Sequence, residues 1–403
     1  MNIIKGGLLT TVQDAGRRGY QRYGMGVSGA VDVHSYVYAN LLVGNTHDEA
    51  VLEVTMLGPK IEITTDCVMA ITGGDLSPVL TAGDGSFLDV STGDSRQTVG
   101  ERQKRRLNEA KSTVPFPMYQ AVKVPKGSIL SFGAMKTGCR AYIAVSGGLE
   151  IGKVMGSRST YIKASLGGYE GRRLMDGDEI AFRNAAAWPK NIENRKMAPQ
   201  TFNGHYTVRV LLGPQDDRFT EAGLQTFLNE TYTVTDRFDR MGVRLAGPKI
   251  EHVTDGNIIT DGIGFGAIQV PDDGQPIIML ADRQTTGGYA KIGSVINVDM
   301  PYIAQAKTGD TIRFEKTDID TAQDLFVAQK EKYKQLQAQF DGIEDKHPLK
   351  PENVKEESAG SPSEPAAVSE LVEAQSEPKS GSVNRYQVNV GKRVYLISIK
   401  EVE

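Results

Sequence analysis

Two short phrases of this chain occur twice and in the same order. Gly58-Pro59-Lys60-Ile61-Glu62 returns as Gly247-Pro248-Lys249-Ile250-Glu251, and Gly177-Asp178-Glu179-Ile180-Ala181-Phe182 returns as Gly309-Asp310-Thr311-Ile312-Arg313-Phe314. The echo reads as a divergent duplication, with one β domain over residues 1–195 and a second over 205–316. Short Val-, Ile- and Thr-rich runs separated by turns, 44 glycines and few long helical patterns agree with a mainly β chain. An open sheet edge leaves N–H and C=O groups unpaired, so many short strands are most economically arranged as closed or nearly closed barrels. Two such barrels side by side would gather their polar loops around a shared cleft.

The net charge of −4 gives no reason to expect nucleic acid or an anionic membrane as partner. Cys67 and Cys139 sit in apolar, strand-like segments and read as small buried hydrophobes, so neither a disulfide framework nor a metal site is expected. No signal-like N-terminus and no apolar run of spanning length is present, which predicts a soluble, cytoplasmic protein.

Polar chemistry is concentrated in three places. The densest is Gly264–Gly293, where the apolar runs Ala267–Val270 and Pro276–Ala281 flank the turn Pro271-Asp272-Asp273-Gly274. The second run leads into Asp282-Arg283-Gln284-Thr285-Thr286-Gly287-Gly288-Tyr289, hydrogen-bonding side chains followed by two glycines that would let a ligand approach the backbone. An elaborate turn satisfying its own backbone is the competing reading. The second place is Thr10–Gly19, with Asp14 and Arg18, followed by Gly26–Asp32. A helix is expected over 31–43, stopped at Gly44-Asn45, with Ser28, Gly29 and Ala30 presenting free N–H groups to an anion at its start. Gly24, Gly26 and Gly29 match GxGxxG, but Tyr20–Tyr23 is no apolar strand, which argues against a dinucleotide fold. The third place is Gly156–Thr160 with Arg158, Ser159 and Thr160, then Gly167–Arg172; glycine-rich loops with capping hydroxyls explain it equally well.

Around this frame, the polar insertion near 86–112 has nothing to bury and reads as solvated. Ile319, Ala322, Phe326, Gln329, Tyr333, Leu336 and Phe340 recur at helical spacing and predict an amphipathic helix over 317–342. Residues 343–382 are expected to be a disordered acidic linker, and 383–403 a short β-hairpin.

TTVQDAGRRG, SGAVD, ANLLVGN, GCRAYIAVSGGL, GSRST, GGYEGR, GAIQVPDDGQPIIMLADRQTTGGY and GDTIRF together resemble, in order, the biotin-dependent carboxyltransferase A/B family, over roughly residues 3–342. The resemblance implies two tandem cyclophilin-like β-barrels and an obligate partner. Tyr161 departs from it, standing where the family usually has aspartate, and the closing hairpin resembles the segment before a biotin-carrier domain that does not follow.

Two activities go with this resemblance. As the C-type subunit of an ATP-dependent 5-oxoprolinase, the chain would work with a KipI-like B-type subunit and a LamB/YcsF-like A-type subunit, with ATP shared with the partner. As a carboxyltransferase, it would pass a carboxyl group from carboxybiotin on a separate biotin-carrier protein to urea or another small acceptor. A non-catalytic antagonist of a KipI-type kinase inhibitor is the third reading. Lactam activation needs anion-holding groups, which suits Arg283, Arg158 and the Ser28–Ala30 turn. Carboxyl transfer needs an acceptor such as Asp32 or Asp282 and a clamp such as Gln269 and Thr285. Asp32, Asp282 and Arg283 are therefore the catalytic candidates. Asp14, Arg18, Ser28, Gly29, Ala30, Arg158, Ser159, Thr160, Gln269, Pro271, Thr285, Thr286, Gly287 and Gly288 are the candidates for holding substrate or an anion.

Overall fold

The computed structural model describes residues 1–82, 113–342, 384–390 and 393–399. Met1–Pro348 form one compact unit and Leu349–Glu403 another. The insertion near 86–112 and the linker over 343–382 lie outside the described residues.

Among the described residues of the first half are ten strands: β1 (Asn2–Lys5), β2 (Leu9–Gln13), β3 (Val51–Thr55), β4 (Lys60–Glu62), β5 (Cys67–Asp75), β6 (Pro78–Thr81), β7 (Thr113–Pro115), β8 (Val122–Val124), β9 (Ile129–Phe132) and β10 (Thr137–Val145). They form two five-stranded sheets, β1-β4-β9-β6-β7 and β2-β3-β10-β5-β8. Ile3, Ile61, Leu80 and Leu130 from one sheet meet Val12, Leu52, Val54, Met69, Ile71 and Ile143 from the other in a single buried cluster. The second sheet is covered on its other face as well, where Val51, Val68, Ala70, Tyr142 and Ala144 pack with helix α1 (Val33–Leu42). Burial on both faces explains why β3, β5 and β10 read as continuous apolar runs and not as alternating ones.

The second half holds β11 (His205–Leu212), α2 (Glu221–Asn229), β12 (Thr231–Phe238), β13 (Gly242–Ala246), β14 (Asn257–Gly262), β15 (Ala267–Gln269), β16 (Ile277–Met279), β17 (Thr286–Tyr289), β18 (Lys291–Val295), α3 (Met300–Gln305) and β19 (Thr311–Lys316). Seven of the strands close a barrel in the order β11-β18-β15-β16-β13-β12-β19, and β14 pairs with β17 in a separate ribbon. Alternation turns Val208, Val210, Val234, Val243, Leu245, Ile268, Ile278, Ile292 and Ile312 into its core. α2 plugs it with Phe227, stacked on Phe314 at 4.4 Å.

The sequence echo survives unevenly. The second GD-x-I-x-F phrase is β19, parallel to β11, the first strand of its half. The first copy also runs beside the opening strand of its half, through Ile3 N–H to Asp178 O at 2.8 Å and Gly177 N–H to Ile3 O at 2.8 Å, but it forms only isolated bridges. Of the two Gly-Pro-Lys-Ile-Glu phrases, the first carries β4 and the second lies beyond β13 without strand pairing. In the second unit, β20 (Asn384–Val390) and β21 (Arg393–Ile399) pair antiparallel. No described helix is long and apolar enough to cross a membrane.

Helix α4 (Ile319–Asp341) is capped by Asp318 at its start and by left-handed Gly342 at its end. It docks on α1 through Tyr333 and Phe340, while Ile319 and Phe326 of the expected stripe stay exposed. His34 of α1, 4% exposed, sits edge-on to Tyr333 at 5.9 Å and to Tyr38 at 6.5 Å. Burial first, then Lys332 and Lys330, push its pKa down to about 4, against a weaker opposing pull from Asp299. An unfolded imidazole takes up its proton near pH ~6.5, so this contribution to stability is complete above that pH and is lost as pH falls toward 4. Urea unfolding at stepped pH is expected to lose up to about 3 kcal/mol over that window from His34 alone, and His34→Gln to flatten the wild-type slope by that amount.

Candidate active site

Three loops meet where the two halves join: Gln13–Gly29, Val154–Gly171 and Leu280–Ala290. Asp14 sets the first against the second. Its carboxylate accepts hydrogen bonds from Ser157 Oγ and Ser159 Oγ, both at 2.6 Å, from Arg158 N–H at 2.5 Å and from Gly16 N–H at 2.9 Å. Gly16 and Gly29 lie back to back with φ of +88° and +93°, and a Cβ on Gly29 would stand 2.9 Å from Gly16 N. Only glycine fits at either place.

Asp32 is fully buried and caps α1, accepting Ser35 N–H at 3.0 Å, Ser35 Oγ at 2.6 Å and Gln305 Nε2 at 2.8 Å. Burial raises its pKa, and the bonds from Gln305 and Ser35 work in the opposite direction. It has no surface for a substrate, so the structure places it as a helix cap and not as a catalytic group. In the turn expected to seat an anion, Ser28–Ala30, the Ala30 N–H is already spent. The helix starts later, Ala30 N–H is taken by Asp14 O at 3.0 Å, Val31 N–H by Glu53 at 2.9 Å and Asp32 N–H by Tyr142 Oη at 2.8 Å.

The third loop is tied in by Arg240, 4% exposed. Its guanidinium binds both oxygens of Asp282, at 2.9 and 3.1 Å, donates to Gly29 O at 2.6 Å and ion-pairs with Glu53 of β3. Burial opposes its charge; Asp282 and Glu53 override that and hold its pKa above the ordinary value. Ser28 Oγ lies 2.7 Å from Asp282 Oδ1 and 2.7 Å from Thr160 O, so Asp282 is consumed by positioning contacts. The same applies to Ser159 and Thr160, whose hydroxyls are spent on Asp14 and on Val12 O at 3.0 Å. Arg158 turns away, donating to Ile151 O at 2.8 Å and facing Glu49 at 3.7 Å.

Arginines without carboxylates remain. Arg283 is 8% exposed, donates through Nε to Ile263 O at 2.9 Å and through Nη1 to Leu280 O at 3.1 Å, and forms no ion pair among the described residues. Burial, and then the neighbouring Arg18, push its pKa down to about 10. Arg18 is exposed and also forms no ion pair among the described residues. Arg17 is fully buried, with Nη2 on Ser159 O at 2.6 Å and Nη1 without a partner among the described residues. A positive field left uncompensated in a partly buried wall suits one anionic group. A cleft of about 360 Å³ is lined by Met241, Ile277 and Met279, by Gln269, Gln284 and Tyr289, and by the charged Asp236, Arg237, Asp239 and Arg244.

Thr285 O accepts Ile263 N–H at 3.0 Å, Thr286–Gly288 belong to β17, and Pro271 accepts Gly274 N–H at 2.8 Å in its turn. Gly287 does not open the backbone to a ligand. A Cβ there would lie 2.6 Å from Ile263 Cδ1 and 2.9 Å from Gln269 Nε2, so neighbouring side chains already fill that space. Arg17, Arg240, Glu53 and Tyr142 escaped the sequence reading. Only Glu53, a charge within an apolar strand run, carried a legible signal, because a buried carboxylate demands a partner.

Residues 23–316 match the carboxyltransferase domain, subdomain A and B. The chain belongs to that family. It is 33% identical over 336 residues to the 5-oxoprolinase C-type subunit of Escherichia coli, covering 83% of this chain and 97% of that one. It is 30% identical over 315 residues to the 5-oxoprolinase C-type subunit of Haemophilus influenzae, covering 78% and 90%. The crystal structure of Kluyveromyces lactis urea carboxylase superposes with a TM-score of 0.70 at 29% identity, over 83% of this chain and 29% of that one. This chain therefore spans less than a third of that larger enzyme.

The arginine seat predicts anion protection. Inorganic phosphate at ten times its dissociation constant should raise the unfolding free energy by about 1.4 kcal/mol, and Arg18→Gln should abolish the effect without lowering the melting temperature in buffer alone. Differential scanning fluorimetry reads both.

Proposed function

We propose that this chain is the C-type subunit of a cytoplasmic, ATP-dependent 5-oxoprolinase. The observation that carries the proposal is the Arg18–Arg283 wall, two guanidiniums with no carboxylate paired to either among the described residues, in a chain that aligns over most of its length with 5-oxoprolinase subunits. Opening a lactam requires its carbonyl carbon to become electrophilic and its oxygen to carry developing charge, and phosphorylation of that oxygen by ATP supplies both. In this assignment Arg283 and Arg18 hold the anionic group, either the substrate carboxylate or the transferred phosphoryl. Asp282, locked by Arg240 and Ser28, positions Arg283. The chain contains no GxxxxGK[ST] loop, and the seat fits a single anionic group. ATP would accordingly be held jointly with a KipI-like B-type partner, and a LamB/YcsF-like A-type partner would complete the enzyme.

A second reading is biotin-dependent carboxyl transfer, favoured by the likeness to urea carboxylase and by the cleft. The side chains of Met241, Ile277 and Met279 and the amides of Gln269 and Gln284 in its lining would suit the ureido ring of carboxybiotin. Co-expression of this chain with its B- and A-type partners decides between the two. Glutamate release from 5-oxoproline, dependent on ATP and on all three chains, supports the first reading, and Arg283→Met should then lower turnover by about 100-fold or more. Absence of glutamate, with carboxyl transfer from free carboxybiotin to urea instead, would overturn it.

A further inference from the structure

A separate polar opening lies under α4, away from this site. It is a cavity of about 550 Å³ bounded by His34 and Tyr38 of α1, by Tyr119 and the Met197–Gln200 segment, by Arg209, Asp299 and Tyr302, and by Leu325, Ala328, Gln329 and Lys332 of α4. It shares no lining residue with the cleft of about 360 Å³. Its volume falls within the range of small-molecule sites.

Most of its polar groups are already satisfied. Gln329 Nε2 donates to Tyr38 Oη at 3.1 Å, Tyr119 Oη accepts Gly73 N–H at 3.0 Å, and Arg209 binds Asp299 through Nε at 2.9 Å and Nη2 at 2.6 Å. Three groups are not. His34, 4% exposed, makes no hydrogen bond among the described residues. Gln200 Oε1 is buried without a donor among the described residues. Lys332, exposed at the rim, lies 5.9 Å from the centre of the Tyr38 ring and forms no ion pair among the described residues.

We propose that this cavity is a second small-molecule site, built for a small organic acid that carries an N–H group, such as an acylated amino acid. The three unmatched groups specify that class. An amide-type oxygen left without a donor in a buried place is destabilising, and a ligand N–H satisfies it. The neutral imidazole offers one further donor and one acceptor. Charge selects an acid over an amine: Lys332 and Lys330 face the imidazole, and the carboxylate that also faces it, Asp299, is neutralised by Arg209. Tyr38, Tyr302, Leu325 and Ala328 supply the apolar walls. Because α1 and α4 contribute opposite sides, an occupant would brace the docking of one helix on the other.

The test uses the full chain and N-acetylglycine, the smallest probe with both features, followed by saturation-transfer NMR and calorimetry. N-acetylglycine should bind, N-acetylglycinamide should not, and Lys332→Gln, a change at an exposed position, should weaken binding by about fivefold. His34→Phe should weaken it further, and inorganic phosphate should fail to displace the probe, since phosphate occupies the separate arginine seat. No binding at about 50 mM probe, roughly the weakest affinity such a site could have, equal binding of the uncharged amide, or binding unchanged in Lys332→Gln would each overturn the proposal. None of these outcomes depends on which reaction the chain serves.

Discussion

A guanidinium buried between carboxylates from two different parts of the chain holds this structure together. Arg240 comes from the turn between β12 and β13 of the barrel, Glu53 from a central strand of the first half, and Asp282 from the loop beyond β16. Burying three charges costs several kcal/mol per ion unless every remaining lone pair and proton is matched. Here most are matched: Val31 N–H and Tyr142 Oη serve Glu53, Ser28 Oγ serves Asp282, and Gly29 O takes a further guanidinium proton. Such a network contributes little net stability over an apolar replacement, but it tolerates only one relative placement of the loops that carry it.

That placement defines the site. With Asp282 drawn inward to Arg240, the next residue, Arg283, is turned along the loop and pinned by two backbone carbonyls, with no acid paired to it among the described residues. Asp14 performs the matching task on the other side, gathering four donors so that the Arg17-Arg18 pair is presented beside the junction. The acids of the site thus fix geometry, and Arg18 and Arg283 are left without an acid partner among the described residues. This is the reverse of an arrangement in which aspartates act on substrate and arginines support them.

Much of the fold was legible from periodicity and turn chemistry. The strands flanking Pro271–Gly274 pair as expected, Ile268 opposite Ile278, and α1 and α4 fall within two residues of their expected ends. The site was legible only as a set of neighbourhoods. Asp14, Ser28, Ser159, Thr160 and Asp282 do converge, yet their roles depend on which oxygen meets which donor across more than a hundred residues of chain. Adjacent arginines show the limit most clearly. Nothing in Arg17-Arg18 says that the first is sealed in the interior and the second exposed, because that follows from loop geometry imposed by Gly16 and Gly29. Arg240 was invisible for the same reason: it sits in a turn with no pattern, and its partners lie far away in sequence.

The central claim is that Glu53 and Arg240 couple the two halves energetically. A double-mutant cycle with Glu53→Gln, Arg240→Met and the pair, read by urea unfolding, measures that coupling directly. The account predicts that each single change is strongly destabilising and that the double mutant recovers about 2 kcal/mol or more relative to their sum. Additive losses, with a coupling energy near zero, would contradict it.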